Sequence, residues 1–138
     1  MKFLACTDGS PYAEKAIKAS AVAAKHAGYG LALLYVIEDA VSYADFPNNP
    51  GFRLRKEKAD TILAKAKEIV EKVSKDIECS LKIAHGPVSS EIARIAVAGD
   101  FSAIFLGTKG IRGIKRMLLG TVADDVIRHA HCPVTVVR

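Results

Sequence analysis

The chain has 138 residues, 50% of them hydrophobic and 25% charged, with 10 glycines and 5 prolines. That size suits one domain, residues 1–138, which buries roughly two-thirds of its unfolded surface without a disulfide or metal staple. The composition excludes disordered and collagen-like classes. No apolar run approaches the about 18 residues of a membrane span, and the start, Met1-Lys2-Phe3-Leu4-Ala5-Cys6-Thr7-Asp8, meets an acid before an export-signal core can form. A cytoplasmic domain with no membrane partner is expected.

The net charge is +5, and its placement is uneven. Residues 53–82 carry nine basic against six acidic side chains, and residues 107–138 carry six against two. There is no block of like charge, no interleaving of basic and aromatic residues, and no helix-turn-helix or zinc-finger spacing. A local anion site is therefore expected rather than a nucleic-acid partner. Cys6, Cys79 and Cys132 are an odd, scattered set, which fits buried thiols in a reducing compartment.

The first apolar run, Lys2–Thr7, is stopped by Asp8-Gly9-Ser10-Pro11 and reads as a strand, a turn and a helix start. Ser10 is the expected N-cap, with Pro11 at the first helical position. The helix that follows places Ala13, Ala16, Ile17, Ser20, Ala24 and Ala27 on one face and ends at Gly28 and Gly30. Leu31–Ile37 is a continuous apolar run, as in a strand covered on both faces. Residues 38–52 lack periodicity and read as a long loop, either a mobile lid or an ordered functional segment. A second helix is expected from about Arg53 to Asp76, with Ile62, Ala66, Ile69 and Val73 inward.

Ser80–Ala84 reads as a third strand, His85-Gly86-Pro87 as a turn, and Val88–Ala98 as a helix with Ile92, Ile95 and Ala96 inward. Phe101–Leu106 is the fourth strand, residues 107–120 form a loop, Thr121–Ala130 a helix, and Val134–Val137 a last strand after Pro133. Strands alternating with helices predict an α/β fold: a Rossmann-like open parallel sheet of five strands, with helices on both faces. An order of 3-2-1-4-5 makes the first and fourth strands neighbours where the order reverses. Ligands of such sheets bind outside the carboxyl ends at that point. Both strands end there in unusual turns.

The loop after the fourth strand contains Gly107, Gly110 and Gly120, with Thr121 opening a helix. Glycines let backbone N–H groups converge on an anion, and a helix amino end adds free donors and a favourable dipole. Lys109, Arg112, Lys115 and Arg116 supply positive charge. A single glycine there only turns the chain; Gly107, Gly110 and Gly120 together with Thr121 and four cations predict a phosphate site. The P-loop pattern G-x-x-x-x-G-K-[ST] and the dinucleotide pattern G-x-G-x-x-G are both missing.

The pattern Gly107-x2-Gly110-x9-Gly120-Thr121 resembles the glycine motif of the ATP-binding branch of the universal stress protein family. Thr7-Asp8-Gly9-Ser10 is similar to that family's Val-Asp-Gly-Ser turn, and Leu34-Tyr35-Val36 to the end of its second strand. Arg128-His-Ala-His-Cys-Pro-Val134 is similar to its closing Arg-His-Ala-x-Cys-Pro-Val, so the likeness runs the length of the chain. It implies an adenine nucleotide, ATP or ADP/AMP, with Mg2+ or Mn2+ entering through the phosphates. The resemblance gives Asp8 to ribose and adenine, the Val36 backbone to adenine, and Gly107, Gly110, Gly120, Thr121 and Val122 to ribose and phosphates. Thr7, Leu106, Lys109 and Arg112 flank these positions and complete the expected binding site. The family also suggests a homodimer through Val134–Val137, a role in the stress response, and a protein partner that the sequence does not identify.

Two departures stand out. Thr7 replaces the family's valine, and Ser102-Ala-Ile-Phe-Leu-Gly107 lacks the acid of its Asp-Leu-Ile-Val-Met-Gly, with Asp100 two positions earlier. His129, His131 and Cys132 do not share a helix face and match no zinc spacing. Asp124 and Asp125 suit the first turn of a helix on electrostatic grounds alone. No nucleophile–base arrangement is visible around His26 or His85. The expectation is a nucleotide-dependent sensor or switch with no catalytic residue assigned; the alternative is a slow ATPase using the same site with a divalent metal.

Overall fold

Strands that are apolar on both sides require cover on both faces, and four helices provide it. The computed structural model describes residues 1–38, 50–110 and 119–138. The elements run β1 (Lys2–Cys6), α1 (Pro11–Ala27), β2 (Gly30–Ile37), α2 (Pro50–Val73), β3 (Cys79–His85), α3 (Val88–Ala98), β4 (Ile104–Gly107), α4 (Thr121–His129) and β5 (Val134–Val137). The five strands form one parallel sheet in the order β3-β2-β1-β4-β5. This is the architecture and order expected from the sequence.

Alternation along the strands divides the core into two layers. Leu4, Cys6, Ala32, Leu34, Ile104 and Leu106 face α3 and α4, where they meet Ile92, Ala96, Ala123 and Val126. Ala5, Leu31, Leu33 and Phe105 face α1 and α2, where they meet Ile17, Ala21, Ala24, Leu63 and Val70. The small residues of α1 let it lie close against the centre of the sheet.

Several boundaries differ from the sequence reading, each for a local reason. Residues 39–49 of the expected loop lie outside the described residues, but Pro50 to Phe52 are helical. Proline lacks only an N–H that the first turn leaves unbonded in any case, so Pro50 starts α2 rather than preceding it. The helix ends at Val73, before the expected Asp76; the Ser74 N–H still bonds the Val70 carbonyl, and the Ser74 hydroxyl accepts the Asp76 N–H. The buried line of α2 is Ala59, Leu63, Ala66 and Val70. Ile62, Ile69 and Val73 flank it and are half-buried. Ile62 is drawn aside by the first turn of the sheet, where its side chain lies 3.1 Å from the position a Cβ would take on Gly9. On α1 the buried face ends at Ala24, and Ala27 on the same line is exposed.

Ser10 caps α1 as expected, its hydroxyl accepting the Ala13 N–H at 3.2 Å. Gly28 closes α1 in the left-handed conformation at φ 70°. β4 begins later than expected, at Ile104. Phe101 to Ala103 lead into it, the Ser102 N–H bonding the Lys2 carbonyl and the Ala103 carbonyl accepting the Leu4 N–H. Asp100 has φ 51° and forms the turn from α3 into that segment. The displaced acid therefore belongs to the strand entry.

All three cysteines are reduced thiols, with Cys6 buried. Burial raises the pKa of Cys6 well beyond the usual thiol range, and raises those of Cys79 and Cys132 in the same direction. The fold keeps protons that the unfolded chain loses above the ordinary thiol value of 9.0. Stability should thus be fully present below pH 9 and fall as pH rises through and beyond it. Urea unfolding between pH 8 and pH 10.5 checks this, with Cys6→Ala expected to flatten the slope by up to about 1.4 kcal/mol per pH unit.

Candidate functional site

The site begins at two adjacent strand ends. β1 runs into the Thr7-Asp8-Gly9-Ser10 turn, and the Thr7 N–H still bonds the Leu34 carbonyl of β2 at 2.9 Å. The Thr7 hydroxyl accepts the Gly9 N–H at 3.1 Å, and the Asp8 carboxylate accepts the Ser10 N–H at 2.9 Å. Gly9 has φ 84°, in the left-handed region that a side chain would strain. The hydroxyl that replaces the family's valine thus helps to hold this turn.

β4 ends at Gly107, directly beside the start of α1. A Cβ there would lie 2.8 Å from the Tyr12 carbonyl carbon, 2.9 Å from its oxygen and 3.0 Å from the Ala13 nitrogen. The first turn of α1 and the end of β4 therefore touch backbone to backbone. Three residues later, a Cβ on Gly110 would meet the Asp8 carboxylate at 2.6 Å, so the two turns are pressed together. Thr108, buried between the glycines, donates its N–H to the Val137 carbonyl, and its own carbonyl accepts the N–H of Gly120. That bond closes the glycine loop at its base. A Cβ on Gly120 would lie 3.0 Å from the same Thr108 oxygen and 3.3 Å from the Lys109 Cα.

α4 starts at the closed end of this loop. Its N-cap is Gly120, and among the described residues no side-chain cap bond is formed there. The first-turn N–H groups remain available to an anion, assisted by the helix dipole. Lys109 stands nearby with its ammonium 5.8 Å from the centre of the Tyr12 ring.

These elements enclose an open crevice of about 580 Å³ at the carboxyl end of the sheet. Thr7 and Asp8 line it from β1, and Val36 from β2. Leu106, Gly107, Lys109 and Gly110 line it from β4 and its loop, and Gly120, Thr121 and Val122 from the start of α4. Arg112, with Lys115 and Arg116, lies outside the described residues.

A sequence model of the universal stress protein family matches residues 1–138. The chain belongs to that family. It is 31% identical over 141 residues to the universal stress protein MJ0531 of Methanocaldococcus jannaschii, an alignment covering 99% of this chain and 81% of that protein. Among solved structures it is similar to the protein MJ0577, with 30% identity, a TM-score of 0.83 and coverage of 99% of this chain and 94% of that one. A universal stress protein from Archaeoglobus fulgidus solved in complex with dAMP shares the fold at 20% identity, with a TM-score of 0.75 and coverage of 100% and 98%.

This universal stress protein crevice also contains residues that sequence reasoning missed. Tyr35, Ile37 and Glu38 line it beside Val36, Thr108 lies between the motif glycines, and Arg55 and Lys58 reach it from α2. Tyr35 is next to a motif position and could have been included. Arg55 and Lys58 sit in a mixed-charge helix and carry no signal of their own. The Tyr35 phenol is held above its usual range by burial and by Asp8, with Arg55 opposing. Among the described residues no three His, Cys, Asp or Glu side chains are grouped to hold a metal. His129 bonds the Asp125 carbonyl of its own helix through Nδ1 at 2.8 Å.

The contact geometry separates two glycines. Gly107→Ala must move backbone and should lower stability by about 2 kcal/mol or more. Gly110→Ala meets a movable carboxylate, so it should cost under about 1 kcal/mol. Urea unfolding of both variants checks the difference.

Proposed function

We propose that this protein binds an adenine nucleotide in the crevice and works as a nucleotide-dependent switch in the stress response. The observation that carries this reading is the convergence of Gly107, Gly110, Gly120 and Thr121 with the Asp8 turn on one crevice at the reversal of strand order. Relatives of the same fold solved with dAMP and with cAMP support the choice of adenine.

In this reading the base rests against the end of β2, with the Val36 backbone reading its edge, and Thr7 and Leu106 on its flanks. Asp8 accepts hydrogen bonds from ribose hydroxyls; its carboxylate is already oriented by the Ser10 N–H. The phosphates lie over Gly107 and Gly110 and against Gly120, Thr121 and Val122. There the uncapped N–H groups of α4 and the Lys109 ammonium offset their charge. ATP is the leading ligand, with ADP and AMP next, and Mg2+ or Mn2+ bound by the phosphates rather than by a protein cage. Signalling follows from binding because the ligand joins elements from opposite faces of the sheet, α1 and α4.

Thermal unfolding with and without nucleotide tests this. At a hundredfold excess over Kd, ATP should stabilise the protein by about 2.7 kcal/mol, a shift of several degrees, and GTP should do less. Gly120→Val should abolish the ATP shift, since its side chain projects at the Thr108 carbonyl and the phosphate path. No shift with ATP, ADP or AMP would sink the assignment. Incubation of ATP with excess protein and Mg2+ should leave the nucleotide intact; one full turnover, however slow, would favour the ATPase reading.

The same proposal includes a homodimer through β5. β5 pairs with β4 on one side only and ends the strand order. The Ile104 N–H bonds the Pro133 carbonyl and the Thr108 N–H the Val137 carbonyl, so the backbone groups of Val134 and Val136 point to the free edge. A second copy pairing there by a two-fold axis would satisfy them. Val136→Pro removes one outward donor and should convert dimer to monomer in sedimentation analysis.

A further inference from the structure

β3 ends the strand order on the side opposite β5 and pairs with β2 alone. The Glu78 carbonyl accepts the Leu31 N–H at 2.8 Å, and the Gly86 N–H bonds the Ile37 carbonyl at 3.0 Å. Residues bonded to β2 therefore fall at even numbers, and the backbone groups of Cys79, Leu81 and Ile83 point to the free edge. Edges of this kind are normally shortened, bulged or covered. This one is bare: Ser80, Leu81 and Lys82 are exposed in succession, Leu81 to 44%.

The side chains divide between the two faces. Glu78, Ser80 and Lys82 share a row with Ala84, which packs in the α3–α4 layer of the core, and all three are exposed. Ile77, Cys79 and Ile83 border the α1–α2 layer, and Leu81 lies in their row. Along residues 75–85, Lys75 and Lys82 balance Asp76 and Glu78. On the flanking helices Lys67 pairs with Glu71 at 3.9 Å, and Arg94 with Glu91 at 2.6 Å. The edge is neutral, so two copies of it do not repel.

We infer that β3 is a self-complementary interface for a second copy of this chain, antiparallel about a two-fold axis at Ser80. In that register Leu81 lies opposite Cys79 of the second copy, and the two exchange both backbone N–H···O bonds. Lys82 lies opposite Glu78 in a non-hydrogen-bonded pair, where side chains approach most closely, and the axis repeats that ion pair. Ile83 comes opposite Ile77, and with Leu81 it carries the α1–α2 layer of the core across the axis. Other registers lose this match. An axis at Leu81 sets Glu78 against Ala84, and an axis at Lys82 sets two ammonium groups face to face. A lysine on an edge discourages pairing by itself; a glutamate four residues earlier turns it into a selector of one partner. The contact leaves β5 free, since the two strands lie at opposite ends of the sheet. Its exposed row is more polar than Val134-Thr-Val-Val137, so it is the weaker of the two edges and forms at about 0.1 mM.

Sedimentation of the full chain without nucleotide, over a rising concentration series, tests this independently of the binding site. The parent should show a step to twice its low-concentration mass. Lys82→Glu and Glu78→Lys each set like charges opposite one another, and each should weaken that step about tenfold. An equimolar mixture of the two variants recreates both ion pairs and should recover it. Both positions are exposed, so the melting temperatures should match the parent. The step should persist in Val136→Pro, there from monomer to dimer. Ser80→Cys should yield a disulfide-linked dimer on mild oxidation, because the two Cα atoms meet at about 4.5 Å on the axis. A parent without the step overturns the inference, as does a step that either charge reversal leaves unchanged. Failure of the mixture to associate overturns the register, and loss of the step in Val136→Pro assigns it to β5 instead.

Discussion

Everything at the functional end of this molecule follows from the reversal of strand order between β1 and β4. The chain leaves β1 for α1 on one face and leaves β4 for α4 on the other. Two parallel strands that part in this way open a crevice no connection crosses. The backbone contact of Gly107 with Tyr12 and Ala13 holds the two departures together at its base. A side chain at Gly107 would push α1 away from β4 and disturb the Asp8 turn with it.

The glycines of the loop have separate physical jobs. Gly107 permits a backbone contact, Gly110 makes room for the Asp8 carboxylate, and Gly120 lets the loop close onto the Thr108 carbonyl. Closure sets the amino end of α4 beside Lys109 with its first N–H groups uncapped. A side-chain cap in place of Gly120 would steady the helix by only about 0.3 kcal/mol. Glycine forgoes that and leaves the donors for an anion.

α2 contributes in a different way. Its inner half packs Leu63, Ala66 and Val70 into the core, and its outer half carries cations past the sheet. The seat of Ile62 on Gly9 ties this helix to the first turn of the sheet. Phe52, in the first turn of α2, stacks on His85 at the end of β3, with ring centres 5.9 Å apart and planes at 8°. That contact ties the start of α2 to the edge of the sheet.

Much of this was legible in the sequence, because strand and helix periodicity, the Ser10 cap and the glycine spacing are local properties. Alternating apolar runs required a covered parallel sheet, and the glycine spacing after β4 marked a loop that borders the crevice. Of the inward line expected for α2, Ala66 is buried and Ile69 and Val73 pack at the core's margin, while Leu63 and Val70 take the centre, because neighbouring apolar residues on a helix differ by only about 100° and the tertiary partner decides between them. Pro50 was read as a loop residue for a similar reason: proline suits a first helical turn as well as a loop. Tertiary structure alone decided that Gly110 abuts Asp8 and that Arg55 and Lys58 reach the crevice. These residues are far apart in the chain and meet only through packing. Sequence by itself determined the elements, their order and the glycine spacing of the loop after β4, since these depend on neighbours a few residues away. Which side chains face one another across the crevice was decided by how the helices rest on the twisted sheet.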